Sequence, residues 1–138
     1  MKKFTFGVFI AALTSVAYAG EPDGPHDGAN WQIWAYSSAA PALLGSNATV
    51  LALDGSVLRE GSNGWTCMVG NSRPAPEGGW GSAHDAMPVC TDEVGMKWMS
   101  DFMAGKDPSI ERDAFMWMLH GDVGEDNTTA GVLNKTDA

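Results

Sequence analysis

Residues 1–19 indicate the compartment in which this chain folds and the length of chain that remains to fold there. Two lysines open the segment, an apolar run of about 13 residues follows, and Ala17–Ala19 places small residues around a tyrosine. This order is typical of a secretory signal peptide, and the run is shorter than the roughly 20 residues that cross a bilayer. We therefore expect cleavage after Ala19, which leaves residues 20–138 in the periplasm or medium of a bacterium. The alternative is an uncleaved anchor or a buried N-terminal helix.

The charge of the mature chain excludes several classes of partner. Loss of Lys2 and Lys3 with the signal peptide leaves six of the eight basic residues against 17 acidic ones, a formal charge of about −11. Nucleic acids and anionic lipids are bound by clustered Lys and Arg, so we expect neither as a partner. We also expect a monomer with no membrane span. The six Trp and eight Met of the sequence predict a core built mainly from Trp, Met and Phe.

The two cysteines, Cys67 and Cys90, are expected to form a disulfide because an exported protein folds in an oxidising compartment. The alternatives are a redox pair, which usually has the spacing C-x-x-C, and a zinc site, which usually uses closely spaced cysteine pairs. Neither spacing occurs. In the chain-entropy model, closing a loop of this length stabilises the fold by about 3.5 kcal/mol.

Residues 49–69 carry the clearest strand signals. Two apolar runs flank Asp54 and Gly55, a pair typical of a two-residue type I′ hairpin turn. A second turn at Gly61–Gly64 leads into a third run that contains Cys67. We therefore expect an antiparallel meander of three strands.

A helix and a later strand complete the predicted fold. Apolar residues recur at helical spacing from Asp92 to Met103, and Asp92 suits the N-terminus of a helix. From Phe115 to His120 the period changes to two, as in a strand. A short helix is also expected to begin near Asn30.

Together these patterns predict an α+β domain with a small antiparallel sheet, one main α-helix and one disulfide. Residues 20–29 hold several Gly and Pro and are expected to form a flexible tail. Residues 30–129 are expected to form the single globular domain, and residues 130–138 a frayed end.

The predicted strand at the end of the domain suggests a copper site. On a strand, Met116, Met118 and His120 share one face. Thioethers together with imidazole select copper, above all Cu(I). The alternative is that methionine fills irregular gaps in an aromatic core.

The acidic loop after this strand suggests a calcium site. Asp122, Glu125 and Asp126, with Asn127 beside them, offer oxygen ligands. The spacing does not match an EF-hand, and acidic residues in turns are usually only solvated.

Two histidine–aspartate pairs suggest a small hydrolase as a further alternative. His84 precedes Asp85, and His120 lies two residues before Asp122. Ser82 is the nearest hydroxyl in sequence. No G-x-S-x-G or H-E-x-x-H motif supports this hypothesis, so no residue is assigned as catalytic.

Trp65 and Trp80 lie among glycines in predicted turns and loops. Exposed Trp rings flanked by acidic residues are one way to hold sugars or apolar ligands. The alternative is that both rings cap a small core.

Several short segments, most of which contain Trp, Met or Cys, occur in a specific order. They are Ala48–Val50, Leu58–Met68, Met87–Cys90, Met96–Met99, Met118–Asp122 and Asn127–Thr128. Their order resembles a family of small, uncharacterised, secreted bacterial proteins, and Asn63–Cys67 is the most specific part. That family has no established activity. The resemblance therefore implies a similar fold and the Cys67–Cys90 pairing, and it assigns no catalytic or binding residue.

The sequence thus predicts an exported, acidic, non-enzymatic binding or envelope-accessory protein. A copper-binding or calcium-binding protein is the alternative, and a small hydrolase is the third hypothesis.

Overall fold

The computed structural model describes residues 19–71 and 73–121. The helices are α1 (Ala29–Ser37), α2 (Ala42–Gly45), α3 (Ala83–Ala86) and α4 (Glu93–Met103), and the strands are β1 (Thr49–Leu51), β2 (Val57–Arg59), β3 (Trp65–Met68), β4 (Val89–Asp92) and β5 (Met116–Trp117). The predicted α+β class is confirmed. Within the described ranges, no helix is both long enough and apolar enough to span a bilayer.

The strands form one sheet in the order β2-β1-β3-β4-β5. The predicted antiparallel meander is wrong in one respect, because β3 pairs parallel to β1 instead of continuing beside β2. The chain leaving β2 crosses the start of β1 at Gly61, where a Cβ atom would lie 2.1 Å from the Thr49 nitrogen. Ser62 then donates its backbone N–H to the Asn47 carbonyl at 2.9 Å. This close crossing places β1 between β2 and β3 and makes the sheet mixed.

The hairpin between β1 and β2 is confirmed, but its turn is not the predicted type I′. Such a turn needs positive φ at both central residues. Here Gly55 has φ +81°, whereas Asp54 does not enter the left-handed region. The Gly55 N–H donates to the Ala52 carbonyl at 2.9 Å, which makes a three-residue loop that ends in a left-handed glycine.

The disulfide between Cys67 and Cys90 is confirmed. The two cysteines lie directly opposite each other on β3 and β4, with their Cα atoms 4.0 Å apart. Both are fully buried. The bond therefore joins two neighbouring strands at the centre of the sheet.

The core lies between α1 and the sheet and differs in composition from the prediction. Its large side chains are Trp31, Tyr36 and Trp80, and small alanines fill the space around them together with the disulfide. Met103 and Phe115 are 60% and 66% exposed, so the expected contribution of Met and Phe is wrong for these residues. They lie at the end of α4 and beside the last strand.

Helix α4 begins as predicted. The Asp92 side chain accepts a hydrogen bond from the Gly95 N–H at 2.9 Å, which caps the helix. Gly95 is the buried residue of α4 and packs directly on Thr91. Trp98 and Phe102 stack on each other with ring centroids 5.1 Å apart, and both stay half-exposed.

The segment before α1 makes specific contacts with the core. The His26 ring stacks on Trp31 at 4.5 Å, and its Nδ1 lies 2.6 Å from the Trp80 carbonyl. The Trp31 indole donates to Glu21 at 2.7 Å. The flexibility expected for residues 20–29 stays a prediction. So do the signal peptide, of which residues 1–18 lie outside the described ranges, and the frayed end, which lies wholly outside them.

Candidate functional site

The strand proposed to carry copper ligands is shorter than expected. It covers Met116–Trp117, and Leu119 and His120 form a turn closed by a hydrogen bond from the Gly121 N–H to the Met118 carbonyl. The alternation that placed His120 on the methionine face therefore ends before His120. Across residues 19–71 and 73–121, no group of three or more His, Cys, Asp or Glu side chains is arranged to hold a metal ion. This observation does not include methionine sulfurs, so copper binding by Met116, Met118 and His120 stays a prediction.

His120 is held instead against two helices. Its Nε2 lies 2.7 Å from the Ser38 hydroxyl, and that hydroxyl donates to the Ala35 carbonyl at 2.7 Å. With the Ser38 proton used in this way, His120 donates from Nε2. The His84 Nδ1 lies 2.6 Å from the His120 carbonyl, so the structure brings the two predicted histidines together.

The environment of His120 opposes a positive charge on its ring. Burial lowers the pKa of His120, and the nearby His84 lowers it further because two positive imidazoles repel each other. The ring is thus best suited to act as a neutral hydrogen-bond donor that fixes the turn to α1.

Among the described residues, no hydrogen bond joins His84 to Asp85, and Asp122, the predicted partner of His120, lies outside them. Ser82 caps α3 by accepting the Asp85 N–H at 3.2 Å, and its hydroxyl donates to the Asp85 carboxylate at 2.8 Å. Among the described residues, the hydrogen bonds of the His84 and His120 rings go to a carbonyl and a hydroxyl, not to a carboxylate. Ser82 and Asp85 thus act as a helix cap.

The predicted calcium ligands Asp122, Glu125 and Asp126 lie outside the described residues. The calcium hypothesis therefore stays a prediction.

The two tryptophans considered as a platform for sugars or apolar ligands differ in how deeply they are buried. Trp80 is only 5% exposed and belongs to the core, so its ring offers no exposed face for stacking. Trp65 is half-buried against the same core. For Trp80, the interpretation as a core cap is confirmed.

A cavity of about 280 Å³ lies between Trp80 and α1, lined in part by Gln32 and Tyr36. Burial raises the pKa of the Tyr36 hydroxyl. Gln32 Oε1 and Trp80 Nε1 have no hydrogen-bond partner among the described residues. Both atoms are themselves inaccessible to solvent, so a molecule in the cavity does not reach them without a rearrangement.

The most distinctive surface surrounds the last strand. Residues Phe115–Leu119 are five consecutive apolar residues, and their exposed fractions range from 37% to 66%. A cleft of about 500 Å³ lies beside them, lined by Trp98, Ile110, Asp113, Ala114, Phe115 and Met116. We call Phe115–Leu119, Trp98 and Ile110 together the β5 surface.

Sequence reasoning interpreted this segment as core and missed the β5 surface. The run is apolar on both faces of its predicted strand, which is expected for a strand buried on both sides.

Compared with known proteins, the chain matches no family model, no curated protein and no solved structure. The resemblance to a secreted bacterial family stays a prediction.

Proposed function

We propose that this protein is an exported, non-enzymatic binding protein that docks a protein partner on the β5 surface. One observation supports this proposal above the others, namely the exposure of five consecutive apolar residues, Phe115–Leu119. Contiguous apolar surface on a small domain marks interaction sites, since water-exposed patches of this kind otherwise promote aggregation.

The charges around the β5 surface indicate the chemistry of the partner. Asp113 lines the cleft, and Glu111 is exposed next to it in sequence. Arg112, which lies between them, is engaged with Asp92 at 2.6 Å. Because the mature chain is strongly acidic overall, the complementary partner carries an apolar centre and a basic rim.

Export is supported by the buried disulfide and by the N-terminal sequence. Intact-mass measurement of protein purified from its native host is expected to give a chain that starts at Gly20 and carries one disulfide. Retention of Lys2 and Lys3, together with thiols that react freely with an alkylating reagent, would contradict export.

The docking proposal is tested by site-specific photo-crosslinking in living cells. A photoreactive amino acid at Phe115 is expected to give a discrete product with one protein, identified by mass spectrometry. The matched control carries the same amino acid at Leu43, which is 71% exposed and lies on α2. Equal products from both positions, or none from Phe115, would rule out docking on the β5 surface.

A further inference from the structure

We propose that the partner contributes an extended segment that adds to the open edge of β5, with an apolar side chain in the cleft beside Trp98 and basic side chains near Glu111 and Asp113. This inference rests on the proposed function and specifies the partner and its mode of binding.

The position of β5 in the sheet supports strand addition. β5 pairs with β4 through Met116 and Trp117, and it is the last strand of the sheet order. Among residues 19–71 and 73–121, no strand pairs with its other side. Natural proteins protect such an edge with Lys, Pro, a bulge or a short strand. β5 is short, at two residues, but the segment Phe115–Leu119 contains neither Lys nor Pro. An extended peptide satisfies the backbone groups of an open edge.

Hydrogen bonds at both ends of the β5 segment hold this edge in place before a partner binds. The Thr91 hydroxyl donates to the Phe115 carbonyl at 2.7 Å on one side of the strand. After the strand, the Leu119 N–H donates to the Ala39 carbonyl at 2.9 Å. A segment fixed at both ends loses little conformational entropy when a partner strand pairs with it.

The cleft beside the strand provides a site for one side chain. Its walls are mainly apolar, from Trp98, Ile110, Ala114 and Phe115, and Asp113 is its charged lining residue. Its volume of about 500 Å³ accommodates a side chain as large as Phe. An apolar anchor in a pocket is the usual source of affinity in such complexes.

Charge favours this occupant over a second copy of the same chain. A dimer through β5 would bring together two molecules that each carry 17 acidic residues and, after export, six basic ones. A segment with Lys or Arg between apolar residues instead gains attraction from the same acidic surface.

The test uses two synthetic heptapeptides and the mature protein with its disulfide intact. One has the sequence Lys-Val-Lys-Phe-Lys-Val-Lys, and the matched control replaces every Lys with Glu. Binding is followed through tryptophan fluorescence, because Trp98 and Trp117 lie at the site and the peptides contain no Trp. The Lys peptide is expected to bind at least about tenfold more tightly than the Glu peptide at low salt.

Backbone methylation tests the strand geometry. N-methyl groups on alternate residues of the Lys peptide remove N–H donors from one edge of the strand, and methylation of the intervening residues removes them from the other. One of the two methylated peptides is expected to lose at least about tenfold in affinity, while the other retains binding. Equal behaviour of the two peptides would overturn strand addition.

Two protein variants locate the site. Phe115→Ser is expected to weaken binding of the Lys peptide at least about tenfold, and Leu43→Ser is expected to leave it unchanged. Both residues are highly exposed, so both variants are expected to keep the melting temperature of the unaltered protein. Equal binding by both variants would overturn the proposed site, and a dimer at the β5 surface that persists in high salt would identify a second copy as the occupant.

The two proposals fail in different ways. If crosslinking from Phe115 identifies a partner but the Lys peptide binds no better than the Glu peptide, the docking function stands and strand addition of a basic segment is wrong. If Phe115 gives no crosslinked partner although the peptide tests succeed, the docking function is wrong.

Discussion

At the scale of single residues, Gly95 shows how packing overrides helix propensity. A Cβ atom on Gly95 would lie 1.8 Å from the Thr91 hydroxyl oxygen. Thr91 is fully buried, and turning its hydroxyl away would break its hydrogen bond to the Phe115 carbonyl. Position 95, where the first turn of α4 packs on Thr91 of β4, is therefore glycine because a side chain would clash with Thr91.

We predict that Gly95→Ala destabilises the protein by about 1–2 kcal/mol. Alanine is more favourable than glycine in a helix by about 1 kcal/mol, but overpacking a buried site costs about 1–3 kcal/mol. If Thr91 turns its hydroxyl away to relieve the clash, the hydrogen bond from that hydroxyl is lost as well. Urea unfolding measures the change. The control is Ser100→Ala at an exposed position of the same helix, and equal stability of the two variants would contradict the prediction.

His120 predicts a pH dependence of stability. Its pKa is lowered in the folded protein by burial and by His84, so the unfolded chain takes up a proton first as the pH falls. The stability that neutral His120 contributes is thus fully present above the pKa of about 6.5 that histidine has in the unfolded chain. It is lost as the pH falls below that value.

The measurement compares urea midpoints at about pH 7.5 and about pH 5. The unaltered protein is expected to lose more stability than His120→Gln, whose side chain also reaches Ser38 but does not titrate. An equal loss in both proteins would show that His120 does not contribute to the pH dependence.

At the scale of elements, features encoded by neighbouring residues were predictable. The Asp92 cap of α4 and the hairpin at Gly55 are both confirmed, because each depends on contacts within a few residues. The position of β3 was not predictable in the same way. It depends on Gly61 passing close to Thr49, a contact between residues 12 positions apart that no local pattern records.

The disulfide also acts at this scale, since it joins β3 to β4 directly. We predict that replacing both Cys67 and Cys90 with Ala destabilises the protein by about 3 kcal/mol or more. The bond closes a loop with a sequence separation of 23. Both cysteines are buried, so replacing them with alanine removes two sulfur atoms and leaves unfilled space in the core. Urea unfolding under oxidising conditions measures the loss, and a value below about 1 kcal/mol would mean that the sheet needs no cross-link.

At the scale of the whole molecule, the predicted cleavage site contacts the folded domain. The Trp34 indole donates to the Ala19 carbonyl at 2.9 Å, and the predicted cleavage removes this acceptor. Trp34 is half-buried, so water replaces the lost partner at little cost.

We therefore predict that a chain starting at Gly20 and one starting at Ala19 differ in stability by less than about 1 kcal/mol. Thermal unfolding of the two purified proteins measures the difference. A much larger loss in the chain that starts at Gly20 would contradict the replacement of the Ala19 carbonyl by water.

The sequence by itself determined the α+β class, the pairing of Cys67 with Cys90, the start of α4 and the hairpin before β2. Each of these follows from cysteine chemistry or from residues that are close in the chain.

Only the tertiary structure decided the mixed sheet, the meeting of Ser38, His84 and His120, and the exposure of Phe115–Leu119. Ser38 and His120 are 82 positions apart, and their contact forms only when the chain folds and brings the end of α1 beside the turn that follows β5. An apolar strand has the same sequence pattern whether a second layer buries it or a partner does, so the pattern alone does not distinguish core from binding surface.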